Sequence, residues 1–168
     1  MKKVVLLLLI SISVLLVQGQ EKEIRYLSGT GSDNTVAWDF YCTGGRKSGY
    51  WTKIQVPSCW EQQGFGTYNY GRDYKTYGRN FRFADEKGFY KFKFNVPDRW
   101  RGKEVFIVFE GSMTDTEVKI NGKTAGAVHQ GAFYKFKYNI TDKLKFGANS
   151  FFEVLLLSLW LWDKRKNK

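Results

Sequence analysis

The stretch from Gly88 to Asn149 constrains the fold more than any other part of the chain. It opens with Tyr90, Phe92, Phe94 and Val96 alternating against Lys91, Lys93 and Asn95. Successive side chains of a strand point to opposite faces, so this is a half-buried strand with a lysine face in water. A turn follows at Pro97–Lys103, and Val105–Phe109 is apolar on both faces, which predicts a central, doubly covered strand. Asn121-Gly122 stands between Val118-Lys119-Ile120 and Lys123-Thr124-Ala125. This is the pair that a two-residue type I′ hairpin turn favours, because both central positions need φ > 0. Tyr134, Phe136, Tyr138 and Ile140 then alternate with Lys135, Lys137 and Asn139. Strands in such succession, with no helical period between them, make an antiparallel all-β sandwich or barrel. Tyr90, Phe92, Phe94, Val105, Ile107, Phe109, Val118, Ile120, Phe136 and Tyr138 are its expected core.

The same residues carry a resemblance. Gly88-x-Tyr90 with Val96-Pro97, Trp100-x-Gly102-Lys103, Phe109-Glu110-Gly111, Val118-x-Ile120-Asn121-Gly122-Lys123, Gly131-Ala132-Phe133 and Asn139-Ile140-Thr141-Asp142 follow one another in order. This series resembles the N-terminal sugar-binding domain of glycoside hydrolase family 2, which includes β-galactosidases, β-glucuronidases and β-mannosidases. Leu27-Ser28-Gly29, Trp38-Asp39-Phe40 and Trp51–Trp60 resemble the entry of that domain. The resemblance implies a jelly-roll-like, galactose-binding-domain-like β-sandwich and a galactoside-like glycan as partner, most like a β-galactosidase. It implies no cofactor.

At the N-terminus, Lys2 and Lys3 precede fourteen residues, Val4–Val17, interrupted only by Ser11 and Ser13. Spanning a bilayer takes about 20 residues, so the pattern reads as a secretory signal peptide ending at Gly19. The alternative is a short anchoring helix that stays in place. Export places the protein outside the cytoplasm, secreted or periplasmic, with no membrane attachment after cleavage. The expected organisation is signal peptide 1–19, sandwich 20–153 and an off-pattern apolar and basic tail 154–168.

Formal charge is +11 over the whole chain. Its lysines are spread along strand faces, which solvates them and discourages edge pairing. A nucleic-acid groove gathers charge beside exposed aromatics, so nucleic acid is not an expected partner. Cys42 and Cys59 are the only cysteines. Two in a chain with ample core read as separate buried thiols, although an exported protein could oxidise them. His129 is the single histidine, and without a spaced Cys or Asp cluster it supports no metal site. It is expected as a partly exposed strand-end residue.

Between Gly64 and Gly78 the composition shifts to four tyrosines and four glycines with no clean period. Long ordered loops on rigid scaffolds are where binding residues concentrate. In some family members an asparagine in the corresponding loop reaches the sugar in the active site. The resemblance makes Asn69, flanked by Tyr68 and Tyr70, the candidate carbohydrate contact; the alternative is that these tyrosines pack the loop onto its own sandwich or a neighbouring domain.

Glycoside hydrolysis needs two carboxylates around the scissile bond. The family draws them from a barrel that follows its sandwich domains, with the acid in an Asn-Glu dipeptide, and Asn-Glu does not occur here. Glu110, Asp115 and Glu117 are close in sequence, with Asp115 expected in a turn, and no shared cleft is indicated; no catalytic residue is assigned. The near-continuous apolar run Phe151–Trp162 departs from the alternation expected after Asn149. A truncated or frameshifted gene would account for it. Two function classes follow: the accessory domain of a secreted family 2 enzyme, present as a fragment without its barrel, or a free-standing carbohydrate-binding module.

Overall fold

The computed structural model describes residues 22–67, 75, 85–113 and 115–157. The expected signal peptide, the segment holding Tyr68, Asn69 and Tyr70, and the last residues of the tail lie outside the described residues.

Among the described residues nine strands follow one another: β1 (Val36–Cys42), β2 (Trp51–Val56), β3 (Lys87–Asn95), β4 (Phe106–Phe109), β5 (Asp115–Ile120), β6 (Lys123–Thr124), β7 (His129–Gln130), β8 (Phe136–Asn139) and β9 (Asn149–Leu157). Seven form one sheet in the order β2-β1-β3-β9-β5-β6, with β7 also on β5, and β4 pairs with β8 in a second sheet. Every named pair is antiparallel. The fold is an all-β sandwich, as the sequence pattern predicts.

The alternation of β3 reappears directly in its burial. Tyr90, Phe94 and Val96 are buried and Phe92 partly so, while Lys91, Lys93 and Asn95 are exposed. Phe92 stacks on Trp38, with centroids 4.9 Å apart. From the second sheet, Ile107 is buried and Phe109 partly buried, and the Phe109 ring centroid lies 5.9 Å from that of Phe152 on β9. Burying a side chain such as Phe152 contributes about 1.5–3 kcal/mol.

Two expectations are corrected. Val105–Phe109 is not doubly covered: among the described residues β4 has only β8 beside it, and Phe106 and Val108 are 40% and 46% exposed. Its outer side is tolerated partly because the Lys137 ammonium lies 4.7 Å from the Phe106 ring centroid. Asp115 lies not in a turn but at the start of β5, buried, opposite Leu157 and Gln130.

β9 passes through Glu153, where the sequence pattern breaks, and lies between β3 and β5 in the middle of the large sheet. Its inner face, Ser150, Phe152 and Val154, is buried. Its outer face joins two cross-strand rows. One runs Trp51, Tyr41, Phe89, Leu155, Glu117, and the next runs Lys53, Asp39, Lys91, Glu153, Lys119. Charge alternates along the second row, with Lys53–Asp39 at 2.6 Å and Lys91–Glu153 at 3.2 Å. The apolar Leu155 therefore continues an aromatic row across the sheet.

The free edge at β2 is covered by one side chain. Gln63, in the 3-10 turn Trp60–Gln63, accepts from the Gln55 backbone N–H at 3.0 Å and donates to its carbonyl at 2.9 Å. A primary amide offers the same donor and acceptor as a neighbouring strand, so it blunts the edge there.

Candidate functional site

The strand register brings several loops to one end of the sandwich. Lys87 opposes Leu157, which opposes Asp115, which opposes Gln130. Thr43 donates its N–H to the Lys87 carbonyl at 3.0 Å, and its hydroxyl accepts from the Lys87 N–H at 2.8 Å. Segments 43–50, 110–113 and 131–135 thus emerge at this end. The segment after β2 leaves at the other end, beside Val36, and returns here at Gly66 and Thr67, so that both feet of the segment carrying Tyr68, Asn69 and Tyr70 lie at this end.

Those feet are tightly tied. Thr67 donates its N–H to the Glu86 carboxylate at 2.9 Å, and its hydroxyl donates to the same oxygen. Glu86 is buried. A buried carboxylate is tolerated where hydrogen-bond donors meet it. Gly66 and Arg46 exchange backbone bonds at 3.0 and 3.2 Å, and the Arg46 guanidinium also donates to the Gly66 carbonyl at 3.1 Å. Phe65 and Trp60 are buried beneath, around Phe40 at 4.9 and 5.6 Å between centroids. The clamp that ties Thr67 to Glu86 depends on a pairing 19 residues apart, and no local pattern announces it.

Acidic groups surround this clamp. Burial pushes the Glu61 carboxyl above the ordinary carboxylate range, and the nearby Glu86 charge adds to the rise. Burial likewise raises the Cys42 thiol, with Glu86 and Glu61 contributing. Both cysteines are free; Cys42 is buried as expected, whereas Cys59 is exposed. The acids flank a loop anchor instead of opening into a shared cleft, and Glu86 is engaged by Thr67. Glu110 instead forms an exposed ion pair with Lys135 at 2.7 Å.

His129 lies at the same end on β7, partly buried as expected. Its ring stacks on Phe136 at 3.7 Å between centroids, and its buried Nε2 has no partner. Among the described residues no group of His, Cys, Asp or Glu could hold a metal ion, and no helix is long and apolar enough to cross a membrane. Tyr134, expected to open the strand that holds Phe136, is instead 70% exposed on the loop before β8, with Phe133 beside it 89% exposed.

The described residues form a two-layer antiparallel sandwich in which Thr67 and Glu86 are tied together at one end. The sequence profile described as glycosyl hydrolases family 2, sugar binding domain, matches residues 48–164, and the chain belongs to that family. Among solved structures it is similar to a β-D-glucuronidase of Dictyoglomus thermophilum, at 22% identity and TM-score 0.57, covering 86% of this chain and 22% of that one. A family 2 glycosyl hydrolase of Bacteroides cellulosilyticus gives 21% identity and TM-score 0.55, with 75% and 17% covered. The β-glucuronidase of Ruminococcus gnavus gives 19% and 0.58, with 84% and 22% covered. The chain spans about a fifth of the length of these enzymes. No curated protein sequence matches it.

Proposed function

We propose that this chain serves as the sugar-binding portion of an exported, β-galactosidase-like family 2 glycoside hydrolase, a fragment whose bond-cleaving carboxylates belong to a barrel outside these 168 residues. Asn69, with Tyr68 and Tyr70 beside it, is the contact this portion contributes to a galactoside-like glycan. The observation that carries the reading is the pair of clamped loop feet, Thr67 on Glu86 and Gly66 on Arg46, within the matched family domain. A loop held by both ends on a rigid sandwich can present an amide and phenol rings to a sugar at small entropic cost. The basic n-region and short apolar core at residues 2–17 support export, to the periplasm or beyond.

The test is to place this segment in a full-length family enzyme and measure galactoside turnover. Asn69→Ala should raise KM or lower kcat with the thermal midpoint unchanged. Unchanged kinetics would remove Asn69 from the site. The isolated chain should cleave no chromogenic galactoside, because catalysis needs the carboxylate pair of the barrel.

A further inference from the structure

Far from the loop end, the outer face of the large sheet carries an open hollow of about 390 Å³, lined by Phe151, Lys145 and the Asn121-Gly122 turn, with Lys91 and Glu153 along one wall. That volume falls within the usual range for small-ligand sites. Phe151 is half exposed, and the Lys93 ammonium stands 5.8 Å from its ring centroid. Lys91 is occupied by Glu153 at 3.2 Å, whereas neither Lys93 nor Lys145 forms an ion pair among the described residues. The turn that closes the hollow is rigid. Asn121 donates its side-chain N–H to the Lys143 carbonyl at 2.7 Å, and its Oδ1 accepts from the Phe151 N–H at 2.9 Å.

We propose that this hollow is a second carbohydrate site, separate from the loop, that binds an acidic polysaccharide whose pyranose rings carry carboxylates. One aromatic face takes the C–H face of one sugar ring. The free ammoniums of Lys93 and Lys145 meet carboxylates beside it. Lysine suits this role as a mobile point charge that tolerates different carboxylate positions along a chain. Glu153 on the wall weighs against the denser charge of a sulfated glycan, and a single ring does not make the aromatic track that single-stranded nucleic acid uses. The positive balance of the whole chain, +11, attracts polyanions to the molecule as a whole.

The experiment titrates the full chain, by calorimetry at low salt, with oligogalacturonate, its carboxyl-reduced neutral counterpart, a sulfated galactan oligosaccharide and a single-stranded oligonucleotide. Oligogalacturonate should bind at least tenfold more tightly than the other three. Lys93→Gln combined with Lys145→Gln should weaken it at least tenfold, and Phe151→Ser should do so at high salt, where screening leaves the stacking contact. Thermal midpoints of the lysine variants should match the parent, and Asn69→Ala should leave this affinity unchanged. Equal binding of the neutral glycan, preference for the sulfated glycan or oligonucleotide, or an unaffected lysine double variant each overturns the proposal. None of these outcomes bears on galactoside turnover by the full-length enzyme carrying this segment, so the two readings fail separately.

Discussion

The six-membered ring of Trp60 lies directly over Gly88. A Cβ added to Gly88 would sit 1.8 Å from Trp60 Cζ3 and 2.4 Å from Cε3. Trp60 comes from the 3-10 turn beside the loop clamp, and Gly88 is the second residue of β3, so this contact seats the clamp on the sheet. Gly88→Ala should therefore destabilise by overpacking, by about 1–3 kcal/mol in urea unfolding. In a Trp60→Ala background the same change should cost less, and the double-mutant cycle reads the difference. Phe40 Cε2, at 2.9 Å from the added Cβ, keeps the cost above zero. Equal costs in both backgrounds would show that Trp60 does not occupy this place.

Asn121 holds a left-handed backbone, φ 51, at the β5–β6 turn, followed by Gly122 at φ 78. Its side chain also bonds Lys143, Ser150 and Phe151. Two separable effects follow from substitution. Asn121→Gly removes the bonds and keeps the backbone unstrained, whereas Asn121→Ala removes the bonds and adds strain. Both variants should be less stable than the parent, with alanine worse by about 1 kcal/mol. Glycine matching the parent would mean that the side-chain bonds contribute nothing.

The alternation of Tyr90 to Val96 and the Asn121-Gly122 pair were legible because each is a local rule, period two for a strand and positive φ for a turn. Whether the second face of a strand meets water is not local. Val105–Phe109 and Phe151–Leu157 are both apolar runs, yet β4 pairs with one strand in a small sheet and β9 with two in the middle of a large one. Leu155 breaks the alternation only until Phe89 is placed beside it across the sheet. Trp60 and Phe65 escaped the expected core because they lie in a 3-10 turn and the loop after it, where no period of two exists, whereas Trp38 and Phe40 do alternate with Asp39 and Tyr41 along β1. The loop expected from the tyrosines and glycines of Gly64–Gly78 lies mostly outside the described residues. The tie between its flanks was not legible, since Thr67 and Glu86 meet only once the intervening chain has closed.

Tyr90 gives the fold an alkaline weakness. Burial pushes its phenol well above the ordinary value of 10.0, and the nearby acids and thiols add to the rise. In the unfolded chain the phenol ionises as pH passes about 10, while in the fold it stays neutral, so the unfolded state binds fewer protons and stability falls as pH rises from there. Tyr90→Phe should remove this loss and flatten the stability curve above pH 10 in chemical unfolding. The raised Cys42 thiol produces an earlier decline, beginning near its ordinary 9.0, which the tyrosine variant leaves intact. A Tyr90→Phe curve parallel to the parent throughout the alkaline range would place the phenol in water.

The position of β9 determines what the C-terminal run does. Residues Asn149–Leu157 oppose Lys87–Asn95 on one side, and Phe152–Leu157 oppose Asp115–Ile120 on the other. Ending the chain after Ser150 would leave both neighbours with unpaired backbone groups, in the middle of the sheet where no side chain covers them. It would also remove the buried Phe152 and Val154, each worth about 1.5–3 kcal/mol, from a fold whose whole stability is on the order of 5–15 kcal/mol. That chain should show no cooperative thermal transition. Ending it after Leu157 keeps every described strand and should hold the midpoint within a few degrees of the parent. Phe152→Ala alone should cost about 3–5 kcal/mol, because its 2% exposed ring packs against both Trp38 and Phe109. A chain ending at Ser150 that melts cooperatively near the parent midpoint would show that β9 does not bridge the two halves of the sheet.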